Sequence, residues 1–205
     1  MYKVEAKQVK KNFAHRKVLR DVSFALNDGD SLAIVGRNGS GKTTLLKILA
    51  GLIRPSRGKV IYSSPDGELD KKALRDLLSY VGPEMTLYDP LTAAENLRFF
   101  ATMRGQTLSD SEIENILQDV GLYGRGNDAY GTYSSGMKQR LKYAVALLNK
   151  PKFLLLDEPS ANLDDDGKKV VAAVIARQKK DGILLIATNE QGEYAFADHV
   201  YRLDD

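Results

Sequence analysis

The stretch Gly36-Arg37-Asn38-Gly39-Ser40-Gly41-Lys42-Thr43 limits this chain's possible folds more than any other part of it. Glycines at 36, 39 and 41 let the backbone curl and turn successive N–H groups toward one point. Ser31 to Val35 reads as a short apolar strand before the loop, and Lys42 to Leu52 carries a helical pattern after it. Strand, glycine loop and helix in that order cradle a phosphate chain, with the positive end of the helix dipole aimed at it. Lys42 supplies a point charge to the outer phosphates, the Thr43 hydroxyl suits Mg²⁺, and Thr44 can donate to an inner phosphate. A glycine turn holding no ligand is the alternative, and the flanking strand and helix speak against it.

A second feature lies far along the chain. Phe153-Leu154-Leu155-Leu156-Asp157-Glu158 is an apolar run that ends in two acids. A buried strand of a parallel sheet delivers its last residues to the carboxyl edge, where ligands sit. There Asp157 can hold Mg²⁺ through its water shell, and Glu158 can polarise a water for in-line attack on a γ-phosphate. Taken alone, the two acids could be an exposed turn after a core strand; beside the phosphate loop they read as a site.

Between these landmarks, Tyr2 to Leu26 alternates as antiparallel strands do, and Asn27 to Asp30 is a turn. Turns are read at Pro55 to Gly58 and Ser63 to Gly67, and a short helix at Lys71 to Leu78. Thr92 to Val120 is helical with a break near Gly105, Gly136 to Leu148 is helical, and so is Gly167 to Lys180. Ile183 to Ala187 is another buried strand. Strands alternating with helices imply a parallel sheet, and the early strands an antiparallel flank. The expected fold is α/β: one domain over 1–205 with a mixed sheet core, and a helical subdomain inserted at about 85–150.

The chain has no cysteine, which excludes disulfides, thiolate metal sites and cysteine nucleophiles. Its 30 basic and 27 acidic residues leave a net charge of +3, too even to imply direct nucleic-acid binding. No apolar run approaches the roughly 20 residues of a membrane-spanning helix, and the first residues lack a signal-peptide core. The expected location is therefore the cytoplasm, with any membrane role coming through a partner.

With Tyr133-Ser134-Ser135-Gly136-Met137-Lys138-Gln139-Arg140 the chain resembles the ABC ATPase family of P-loop NTPases. The segment is similar to that family's LSGGQ signature in a variant form. By itself Ser134-Ser135-Gly136 is also an ordinary helix cap. The resemblance implies that Ser134, Ser135 and Gly136 complete the ATP site of a second subunit, in a head-to-tail dimer that is homo- or heteromeric. It also implies that Ser160 to Asp164 is the D-loop crossing that interface, and that Phe13 stacks on adenine, although an aromatic in a strand is as readily a core residue. The cofactors implied are ATP and Mg²⁺. The implied partner is a transmembrane permease, with the chain peripheral on the cytoplasmic face of the membrane and powering export.

Two positions depart from the family pattern. In Tyr80-Val81-Gly82-Pro83-Glu84, which resembles the Q-loop, Glu84 stands where glutamine is usual. In Thr188-Asn189-Glu190, Asn189 stands where a switch histidine is usual, while the chain's two histidines, His15 and His199, are expected on the surface. Glu84 can still ligate Mg²⁺ but adds negative charge, and Asn189 can donate a hydrogen bond but carries no positive charge. Slow hydrolysis with ordinary nucleotide binding is the expectation. Leu91 to Phe100, the short length and the lack of a C-terminal regulatory domain resemble the haem-exporter ATPase of cytochrome c biogenesis. The signature variant resembles general export ATPases as much. Competing readings are a non-transport ABC ATPase and a slow regulatory partner of another ATPase.

Overall fold

A computed structural model describes the chain except for His15, Asn162, Ala195, Phe196, Asp204, Asp205 and the side chain of Gln191. The surface expectation for His15 and the Asn162 position of the D-loop segment therefore lie outside the described residues. The alternating start forms β1 (Lys3–Phe13) and β2 (Arg16–Asn27), antiparallel with Val4 opposite Leu26. The alternation turns Val4, Ala6, Val9, Leu19, Val22 and Leu26 inward. β3 (Ser31–Val35) is buried along its whole length, and α1 (Lys42–Leu49) follows the glycine loop.

Next come β4 (Arg57–Ser64), β5 (Gly67–Glu68), α2 (Lys71–Leu77) and β6 (Leu78–Val81). The helices α3 (Ala93–Thr102), α4 (Asp110–Asp119) and α5 (Ser135–Leu147) lead to β7 (Phe153–Asp157). The chain continues through α6 (Asp165–Asp181), β8 (Ile183–Thr188), α7 (Gln191–Tyr194) and β9 (His199–Arg202), on which His199 is exposed.

The strands of each sense sort into separate sheets. β2-β1-β4-β5 is a four-stranded antiparallel sheet, and β6-β7-β8-β3-β9 is a five-stranded sheet whose neighbours all run parallel. Parallel register aligns Val35 with Thr188 and Asp157 with Ala187. The ends of β3, β7 and β8 thus reach one edge, which is why residues 36, 158 and 189 emerge close to one another.

Four strands went unread in the sequence, for a shared reason; one of them, β5, is only two residues long. β4 begins at Arg57, inside the expected turn, and buries only Tyr62 fully; β9 is largely exposed; β6 is four residues long. None offers a long apolar or alternating run.

Two compact units result: Met1–Gly82 with Pro151–Pro159 and Ile175–Asp205, and Pro83–Lys150 with Ser160–Val174. In the first, Phe153 sits edge-on to Tyr62 at 4.7 Å between ring centres, and the Tyr62 hydroxyl donates to the Leu49 carbonyl at 2.8 Å. Burial with a neutral partner pushes that hydroxyl's pKa far up.

In the second unit, α3 and α4 each start with a capping box, Thr92 with Glu95 and Ser109 with Glu112. Asn96 on α3 is fully buried and saturated: its Oδ1 accepts from the Tyr88 N–H at 2.9 Å, and its amide donates to the carbonyls of Tyr88 at 3.1 Å and Thr92 at 3.0 Å. It fastens the loop before α3 to the helix. Asn96→Ala removes the acceptor of the Tyr88 N–H and leaves a gap at a fully buried position, and should lower unfolding free energy by about 2 kcal/mol in a denaturant titration. A change inside about 0.5 kcal/mol would mean the loop does not depend on this residue.

Candidate nucleotide site

The loop after β3 is built around left-handed glycines. Gly41 has φ 107° and caps α1 without any side-chain hydrogen bond, so the first N–H groups of the helix stay open to a ligand. A Cβ at this position would lie 2.9 Å from Val18 Cγ1, so glycine is required by space as well as by φ. Lys42 is buried, and its ammonium donates to its own loop, to the Gly36 carbonyl at 2.7 Å and the Arg37 carbonyl at 3.3 Å. Ser40 Oγ is buried with no hydrogen-bond partner. An orphaned hydroxyl inside a ring of N–H groups fits an anion with oxygens to accept from it.

A cavity of about 460 Å³ runs from Phe13 and Arg16, past Asn38, Gly39 and Gly41, to Thr43, Thr44 and Glu158. Phe13 is 46% exposed, and Lys11 Nζ lies 4.7 Å from its ring centre. The ring is thus an open platform at the cavity's far end, able to take a flat base. Arg16, not singled out from the sequence, donates to the Gly39 carbonyl at 3.3 Å.

Glu158 also lines this cavity, and Asp157 precedes it at the end of β7. Asp157 is buried; its Oδ1 accepts from the Thr43 hydroxyl at 3.1 Å and its Oδ2 from the Tyr80 hydroxyl at 3.2 Å. Burial pushes the Asp157 carboxyl up, with the Thr43 and Tyr80 hydrogen bonds opposing. Glu158 has φ 51°, a left-handed backbone unusual for a non-glycine residue, and its N–H donates to the Ala187 carbonyl at 2.8 Å. Its carboxylate lies 3.8 Å from Lys42 Nζ. Burial pushes the Glu158 carboxyl up; Lys42 opposes, while Asp157, Glu193 and Glu190 push further upward.

Among the described residues no cluster of three metal-ligating side chains exists. Asp157 and Thr43 bring two hard oxygens together. That set suits Mg²⁺, which takes one or two protein oxygens and completes its shell with phosphate and water.

The two departures from pattern are placed differently. Asn189, exposed after β8, donates from Nδ2 to Asn38 Oδ1 at 3.2 Å and so joins the glycine loop. Glu84 is exposed in the turn after β6 and belongs to the second unit.

In that second unit Ser134 is exposed and caps α5, accepting from the Met137 N–H at 3.2 Å. Ser135 and Gly136 form the first turn of α5. The helix-cap reading of Ser134 therefore holds here, and its hydroxyl hydrogen is still free to donate. Asp164 caps α6, accepting from the Gly167 N–H at 2.8 Å. Tyr80 joins the site only through the pairing of β6 with β7, which its own stretch of sequence does not disclose.

A parallel sheet with strand, glycine loop and helix at its carboxyl edge, and a buried aspartate against the loop threonine, defines a P-loop NTPase. The sequence model described as ABC transporter matches residues 19–161. The uncharacterized ABC transporter ATP-binding protein YxlF of Bacillus subtilis is 38% identical over 181 residues, covering 87% of this chain and 60% of that protein. The cytochrome c biogenesis ATP-binding export protein CcmA of Vibrio cholerae is 33% identical over 180 residues, covering 88% of this chain and 87% of that protein. The ATP-binding cassette MJ0796, solved as a dimer in a post-hydrolysis state bound to ADP and Pi, matches with a TM-score of 0.82 at 25% identity, over 98% of this chain and 94% of that one. This chain belongs to the ABC transporter family and carries its ATP-binding domain, of the class that hydrolyses ATP. It spans 60%, 62% and 59% of the length of three curated relatives, YxlF among them. Among the described residues no helix is long and apolar enough to cross a membrane.

Proposed function

We propose that this chain is the ATP-hydrolysing subunit of an ABC exporter, peripheral on the cytoplasmic face of the membrane and coupled to a separate permease. Its two compact units then act as one ATPase domain with the helical part inserted into the core. The observation that carries the reading is the contact of Thr43 with Asp157 beside Lys42 and Glu158, which brings a hydroxyl, an ammonium group and two carboxylates together at the glycine loop.

The residues divide the work. Phe13 offers its ring to adenine, while the N–H groups of Gly36 to Thr44 and the hydroxyl of Ser40 hold the phosphates. Lys42 gives up its loop carbonyls for the outer phosphates. Thr43 and Asp157 would hold Mg²⁺; the ion would supply neutralisation of charge on the phosphates. Glu158 takes the proton of the attacking water. Ser134, Ser135 and Gly136 of a second copy or of a related ATPase close over the phosphates, in keeping with the dimer of MJ0796.

For the cargo, haem export is the finer reading. It is supported by the 33% identity to CcmA over 180 residues.

The absence of cysteine makes a direct test simple. A chain carrying Asn38→Cys and Ser134→Cys should form an oxidised dimer with ATP and Mg²⁺ when Glu158→Gln prevents turnover. It should form little with ADP. Crosslinking that ignores the nucleotide, or fails in all states, removes the head-to-tail arrangement.

A further inference from the structure

A net charge of +3 hides a strong local imbalance on the antiparallel sheet. β1 and β4 set like charges directly opposite one another, Lys7 facing Lys59 and Lys10 facing Arg57. Such pairs weaken a sheet, and proteins keep broken local rules chiefly where something other than folding requires them.

Next to the second pair lies a cavity of about 690 Å³ lined by Lys10, Lys17, Arg20, Arg57, Asn12 and Ser56, with Leu19 at its side. Lys10 has a counter-ion, Asp21 at 3.3 Å. Among the described residues the side chains of Lys17, Arg20 and Arg57 have neither a hydrogen bond nor an ion pair. Ser56 Oγ accepts from the Asn12 N–H at 3.0 Å, which leaves its own hydrogen to donate.

We propose that this cavity is a second anion site, distinct from the glycine loop, that binds an oligophosphate chain, free or carried by a nucleotide. Two guanidinium forks, two ammonium groups and a hydroxyl donor within one concavity match several tetrahedral oxyanions in a row better than a single carboxylate. The size is within the range of small-ligand sites. A bound polyanion would also quench the repulsion between Lys10 and Arg57, so binding and sheet stability are linked. A neighbouring groove bordered by Lys17 and Arg20 reaches Gly39 and Ser40, so the two sites must be separated in any experiment.

The full chain, presaturated with ADP and Mg²⁺ to fill the glycine loop, is titrated with sodium tripolyphosphate by calorimetry at low salt. One site per chain is expected, weakened at least tenfold in the Arg20→Glu/Arg57→Glu variant and measurably in the milder Lys17→Ala. Both variants should keep their ATP turnover and melt no lower than the unaltered chain; Lys17→Ala decides the matter if the double variant is unstable. Titrating ATP into a Lys42→Ala chain separates the sources: binding as tight as tripolyphosphate assigns a nucleotide-borne chain, weaker binding the free one. The proposal is overturned if tripolyphosphate does not bind, if binding disappears in Lys42→Ala, or if neither basic-cavity variant changes it. It is equally overturned if phosphatidylglycerol vesicles bind through these residues and tripolyphosphate does not, since the surface would then be a lipid contact.

Discussion

Glu158→Gln lowers ATP turnover by about 10²–10⁴-fold while leaving ATP affinity within about threefold of the unaltered chain. The replacement keeps the size of the side chain and two of its polar atoms, so the left-handed backbone at 158 and its N–H bond to Ala187 need not change. What disappears is the group able to take a proton. Burial already pushes the Glu158 carboxyl up, which makes its carboxylate a better base than an exposed glutamate. The acids around it, Asp157, Glu190 and Glu193, push the same way. Steady-state hydrolysis together with binding of a fluorescent ATP analogue separates the two quantities. Turnover above about a tenth of the original would assign the base role elsewhere. Loss of binding along with turnover would make Glu158 a structural residue.

How much of this could be read from the sequence depends on whether a property is local. The glycine loop was legible because every part of it lies within Ser31 to Thr44, and its strand, turn and helix follow from adjacent residues. The apolar run to Asp157 and Glu158 was legible for the same reason. Tyr80 was not, because its role depends on β6 lying beside β7, a pairing across more than seventy residues that puts its hydroxyl on Asp157. The hydrogen bond from Asn189 to Asn38 is likewise a product of parallel register.

β4 was missed because its exposed face holds Arg57 and Lys59 and its inner face has one fully buried residue, so its sequence reads as turn and charge. That face is also where the unexplained cations gather, since strand pairing brings together charges that are scattered along the sequence. Ser134 shows a further limit. Its cap is local and was readable as the ordinary alternative, whereas the partner it would meet belongs to another chain.

Asn189→His combined with Glu84→Gln should raise turnover about tenfold over the unaltered chain. Hydrolysis spreads negative charge over the γ-phosphate oxygens, and one well-placed donor to such charge is worth about 10²–10³ in rate. Asn189 has its amide committed to Asn38, and it has no second protonation state with which to add charge. A histidine ring gives up that bond, freeing both the loop and the donor. Glu84→Gln takes one negative charge out of the turn after β6 while keeping a side-chain carbonyl oxygen there. The charge carried by an introduced imidazole is present below its pKa and lost above it, so the gain should be larger at pH 6 than at pH 8. The single changes test whether the sites are coupled: if each alone gives the full gain, they act on one defect. If the double variant hydrolyses ATP no faster at either pH, asparagine and glutamate at these positions are not what sets the rate. The step being limited would then be reopening of the dimer rather than chemistry, and the nucleotide-dependent crosslink of residues 38 and 134 would persist after ATP is spent.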